Sequence, residues 1–221
     1  AQFGVFGDDI VIPDDITDVT FDILTKVSFH STQEITTNFT KRKAKIAFVG
    51  DSIVEGRVVP EGTDQATFEY AYPAVVQNIL GTTDFEIKNY GQSGRTVTST
   101  AAIFNGTERS YKLSSASKTK YENSIAYNGD VVVISLGTND VNWAFWTSND
   151  RYIQQYVDLI RDYQALPSKP AVYITTATER YDSTLLITAR VAENLRHIQR
   201  VVADITGAQI IDTYTIMDDL F

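Results

Sequence analysis

The sequence predicts an α/β fold, a three-layer α/β/α sandwich around a parallel sheet of about five strands. Three observations carry that expectation. Short β-branched runs recur from Lys45 onward; longer amphipathic patterns separate them; and the runs are apolar at consecutive positions rather than at alternate ones. A strand that is apolar on both faces belongs in a sheet covered on both faces, the arrangement that intervening helices produce. Hydrophobic residues make up 43% of the 221 residues, enough for a full core, and no run approaches the roughly 20 residues a membrane span needs.

The elements follow in order. Residues 1–44 form an N-terminal extension in which "DVTFDIL" and "KVSFHS" alternate as half-exposed strands, so either a small β-rich appendage or a stretch wrapping the core is expected there. Residues 45–221 form the main domain. "KIAFVG" is its first strand, and Pro73 opens a helix over "PAVVQNIL". "FEIKNYG" and "DVVVISLG" are the next strands, and between them Thr100–Gly129 is read as a polar surface excursion with some helix at its start. After Ser148 a helix places Ile153, Tyr156, Val157 and Ile160 on one face. "AVYITTA" is a strand, and the helix after Asp182 carries a stripe of Val191, Leu195, Ile198, Val202 and Ile205 before Gly207 stops it. "AQIIDTY" is the last strand.

Ligands of such sheets bind beyond the carboxyl ends of the strands. Three polar stretches follow strands and therefore share that edge: Gly50-Asp51-Ser52, "NYGQSGRT" (Asn89–Thr96) and "LGTND" (Leu136–Asp140). Each alone reads as local structure, Ser52 as a helix cap, Gly94 as a turn glycine and Asn139-Asp140 as the cap of the next helix. Together, in this order, they resemble the SGNH (GDSL-type) hydrolases, flavodoxin-like esterases. The resemblance implies that Ser52 is the nucleophile and that its own backbone N–H, that of Gly94 and the Asn139 side-chain amide stabilise an oxyanion. It implies a serine esterase acting on carboxylic esters, with O-acetyl groups on carbohydrate the expected substrate and lipid esters the alternative. Trp143, Phe145 and Trp146, just after Asn139, would stack on a sugar face or simply pack a helix.

The resemblance also implies a D-x-x-H block after the last strand, and no such spacing occurs in these 221 residues. His197, one step off its helix's apolar stripe, is expected toward solvent and away from the loop edge, while His30 lies in the extension. The base is therefore expected from a segment after Phe221 or from a separate polypeptide; a fold kept for binding without hydrolysis is the third reading. No metal or cofactor is expected, since Asp51, Asp140, Asp212 and Asp218 fall in different motifs. A P-loop and a G-x-S-x-G elbow at Ser52 are absent, and with no cysteine there is no thiol chemistry. The net charge of −9 and the single basic cluster "KRKAK" argue against nucleic acid as a partner. Two sequons, at Asn38 and Asn105, and the small-residue start give a lean toward a secreted protein.

Overall fold

A computed structural model describes residues 5–6, 9–10, 42–58, 71–102, 105–141, 146–177 and 186–218. The chain divides into two compact units, Ala1–Arg42 and Lys43–Phe221. In the first, strands β1 (Val5–Phe6) and β2 (Asp9–Ile10) pair antiparallel. The alternating stretches at 18–24 and 26–31 lie outside the described residues, as does His30.

The second unit is built on five parallel strands, in the order β4-β3-β5-β6-β7. They are β3 (Ala44–Gly50), β4 (Phe85–Gly91), β5 (Val131–Ser135), β6 (Ala171–Thr175) and β7 (Gln209–Ile211). The consecutive apolar residues divide between two cores, because successive side chains of a strand point to opposite faces. Ala47, Val49, Val132, Ile134, Val172 and Ile174 enter the larger core, beneath α3 (Ser115–Tyr127), α4 (Asn149–Gln164) and α5 (Leu186–Thr206). Ile46, Phe48 and Val133 enter the smaller one, with Val54 of α1 (Ser52–Glu55) and Tyr72 and Val76 of α2 (Tyr72–Leu80). Among the described residues the sandwich therefore has three layers, with α3, α4 and α5 against one face and α1 and α2 against the other.

Several details depart from the sequence expectation. Helix in the Thr100–Gly129 stretch lies at its end, as α3, and the segment before it is no loose excursion. Tyr111 is fully buried and donates its hydroxyl to the Tyr90 carbonyl, 2.7 Å away. On α4 the buried face extends to Tyr152 and Tyr163, whose hydroxyls find partners in Gln199 and Ser124, whereas Ile153 is only half-buried. On α5, Leu195, Ile198 and Val202 are buried but Ile205 stands 49% exposed, turned off the face that Leu195, Val202 and Ala203 bury. Strand β7 ends at Ile211. Asp212 turns the chain into α6 (Thr213–Asp218) by accepting from the Thr215 N–H at 3.3 Å, so Thr213 and Tyr214 are helical rather than extended.

Candidate active site

The sheet register sets the edge on which the three polar loops meet. Gly50 pairs with Gly91 on one side and with Ser135 on the other, so β3, β4 and β5 end level. Helix α1 starts at once beyond β3 and packs against the end of β4. A Cβ on Gly91 would stand 2.2 Å from the Glu55 backbone nitrogen, so only glycine lets β4 pass so close beneath α1. Asn89 adds a clasp: its amide donates to the Val54 carbonyl at 2.7 Å and its oxygen accepts the Gly91 N–H at 2.8 Å.

The cap of α1 is Asp51, whose carboxylate accepts the Ile53 N–H at 2.9 Å. Ser52 is the first helical residue and half-buried, so its hydroxyl is not needed to close the helix end. The reading of Ser52 as a simple cap is thereby replaced.

Gly94 lies on the second loop with φ of 72°, in the left-handed region that favours glycine. Its neighbours hold it from both sides. Ser93 gives its N–H to Glu55 at 2.8 Å and its hydroxyl to the same carboxylate oxygen. The Ser93 carbonyl accepts from Arg95 Nε at 3.1 Å. Asn139, on the third loop, joins the other two. Its amide donates to the Arg95 carbonyl at 2.9 Å and reaches Asp51 Oδ2 at 3.3 Å. Ser52, Gly94 and Asn139 thus belong to one hydrogen-bonded assembly, each within one residue of a direct link.

Asp140 is no cap for α4, which Ser148 caps by accepting the Arg151 N–H at 3.2 Å. It is fully buried and holds the Gly94 loop from behind, accepting from Val97 N at 2.8 Å, Thr98 N at 3.0 Å and the Thr98 hydroxyl at 2.9 Å. Burial outweighs these donors and pushes its carboxyl from 3.8 up to about 6. The folded protein therefore keeps a proton on Asp140 between those values where the unfolded chain has released it. Its contribution to stability is fully present below the unfolded value and is lost as pH rises through about 6. Asp212 is shifted the other way. Burial raises its pKa, but bonds from Thr215 and Thr176 and the Arg200 charge outweigh this and hold it low, so its contribution is lost only in more acidic solution. Asp140→Asn is expected to flatten the fall in thermal midpoint between about pH 4 and 6 and to cost about 1–3 kcal/mol, because its NH2 faces a donor. Midpoints measured across pH check this; an unchanged slope would remove Asp140 as its source.

Gln199 ties α5 to the same edge. Fully buried, it accepts the Ala177 N–H at 3.0 Å and donates to the Leu136 carbonyl at 3.2 Å. His197, two residues earlier and so on the far side of the helix, is exposed as expected. The expectation that it lies away from the loop edge is corrected along the helix axis, since Gln199 shows α5 passing that edge here. What separates His197 from the site is the direction of its side chain. Among the aromatics after Asn139, Trp146 is half-buried, with its ring centroid 5.6 Å from that of buried Tyr152. It serves packing, while Trp143 and Phe145 lie outside the described residues. Asp51, Asp140 and Asp212 each satisfy backbone donors of different loops, and no metal-holding cluster of acidic or histidine side chains is found among the described residues.

The model of the GDSL-like lipase/acylhydrolase family matches residues 48–221, which includes all three loops. The chain belongs to this family. It is 29% identical, over 191 residues, to an acetylxylan esterase of Xylanibacter ruminicola, an alignment covering 78% of this chain and 36% of that protein. The chain thus spans little more than a third of that relative's length. Its fold is shared with a carbohydrate acetylesterase of Sinorhizobium meliloti (TM-score 0.60, 17% identity, 77% of this chain and 84% of the other). It is shared too with an acetylxylan esterase of Geobacillus stearothermophilus (TM-score 0.55, 21% identity, 80% and 79% covered).

Glu55, Arg95, Asp140 and Gln199 escaped the sequence reading as members of the site. Their partners lie 38, 44, 43 and 63 positions away, so no local pattern announces them. Arg95, beside Gly94, and Asp140, beside Asn139, stood within motifs, but the motifs did not show what they bind.

Proposed function

We propose that this protein is a serine esterase that removes O-acetyl groups from carbohydrate. The observation that carries the reading is the Asn139 amide, which bonds the residue after Gly94 and lies next to the residue before Ser52. A single side chain thereby gathers a serine at a helix start, a glycine backbone and an amide donor around one point.

In this reading the Ser52 hydroxyl oxygen attacks the acetyl carbonyl carbon, and its proton passes to a general base. The carbonyl oxygen becomes an oxyanion held by the N–H groups of Ser52 and Gly94 and by Asn139. One N–H of Asn139 is committed to the Arg95 carbonyl. The other, at a long 3.3 Å from Asp51, is the one that turns to the oxyanion. Collapse breaks the bond to the sugar oxygen, which takes the proton and leaves as the free hydroxyl, and water then releases acetate from the acetyl-serine.

The acetyl-carbohydrate substrate is supported by the name of the curated relative at 29% identity. The test uses the full-length protein. A phosphonate probe is expected to label Ser52, and acetylated xylan to be cleaved in preference to long-chain nitrophenyl esters. Labelling at another residue overturns the nucleophile, and preference for long acyl chains overturns the carbohydrate substrate.

A further inference from the structure

We propose that Arg95 is a positioning residue that aims two of the three oxyanion donors at once. The inference rests on the reading of Gly94 and Asn139 as donors and adds what sets their direction.

The Gly94 N–H and the Ser93 carbonyl belong to one peptide plane. No cis peptide occurs among the described residues, so the N–H points opposite to the carbonyl. Whatever grips the Ser93 oxygen therefore aims the Gly94 N–H. That grip is Arg95 Nε, at 3.1 Å. The guanidinium is itself anchored, since its Nη1 donates to the Ser114 hydroxyl. Ser114 is 3% exposed and stands at the start of α3, with its N–H given to the Ser110 carbonyl at 2.9 Å. Glu55, on α1, takes the Ser93 N–H and hydroxyl, so the residue whose carbonyl Arg95 grips is also held in place.

The main chain of Arg95 performs the second task. Its carbonyl accepts from Asn139 at 2.9 Å and so fixes which N–H of that amide remains for substrate. The carbonyl cannot drift, because the next residue is locked: Thr96 gives its N–H to the Arg109 carbonyl at 3.0 Å and accepts that of Tyr111 at 2.8 Å. Side chain and backbone of one residue thus set the relative aim of two donors that come from different strands. An oxyanion donor turned away from the forming charge loses its effect in the transition state while substrate binding is retained.

The experiment compares Arg95→Met and Arg95→Lys with wild type in the full-length protein. Both keep the backbone bond to Asn139 and alter only the grip on the Ser93–Gly94 peptide. In Arg95→Met, kcat is expected to fall about 10–100-fold with KM nearly unchanged. The rate of Ser52 phosphonylation, whose tetrahedral product uses the same donors, falls with it. Arg95→Lys retains a donor able to reach the Ser93 oxygen but not Ser114 as well, and shows the smaller loss. Folded Arg95→Met with wild-type kcat and wild-type labelling overturns the proposal, as does a loss confined to KM. If Arg95→Met does not fold, Ser114→Ala, which removes only the anchoring hydroxyl, is expected to lower kcat several-fold, and an unchanged kcat there overturns it equally. Failure of the wild-type protein to be labelled at Ser52 is a different result, which overturns the esterase reading itself.

Discussion

Ser52→Ala is expected to lower turnover of acetylated substrate by about 10⁵–10⁶-fold in the full-length protein while leaving the fold intact. Without the hydroxyl no acyl-enzyme forms, and what remains is the stabilisation that positioned donors give to attack by water. The fold survives for a local reason. Helix α1 is capped by Asp51, not by Ser52, and alanine is a good helix former at its first position. The check is kcat beside the thermal midpoint, and loss of the first without the second is the expected signature. Retained turnover in the folded variant would assign the nucleophile elsewhere.

Asn139→Ala is expected to reduce kcat by about 10²–10³-fold, equivalent to some 2.7–4 kcal/mol of transition-state stabilisation, with a small change in KM. Loss of one donor lowers the rate through the oxyanion, which exists only after attack. Asn139→Asp separates chemistry from shape. The replacement has the same outline but sets a carboxylate oxygen against the Arg95 carbonyl and near the Asp51 carboxylate, where the amide now donates. It is expected to be no more active than Asn139→Ala and less stable than wild type. Steady-state kinetics and thermal midpoints of both variants decide this; an active Asn139→Asp would remove Asn139 from the donor set.

Much of the fold was legible because parallel sheets leave a strong trace. A strand covered on both faces must be apolar at consecutive positions, and "VVVIS" divides into Val132 and Ile134 on one side and Val133 on the other. Gly207, with φ of 73°, ends α5 where the pattern stops. Ser52, Gly94 and Asn139 were legible as candidates for a related reason. Each follows a strand, and strands running the same way deliver their loops to one edge.

The sequence by itself thus determined the class of fold and the edge to which the candidate residues Ser52, Gly94 and Asn139 are delivered. Tertiary structure alone decided how those residues are held. Glu55 and Arg95 hold Ser93, whose carbonyl shares a peptide with the Gly94 N–H, Asp140 supports that loop from a fully buried position, and Gln199 binds α5 to two strand ends. Periodicity reports which face of an element is buried, because burial repeats with the geometry of the helix or strand. A hydrogen bond between loops has no period: it depends on which side chains the register of separate strands brings within about 3 Å, and that register exists only once the sheet has formed.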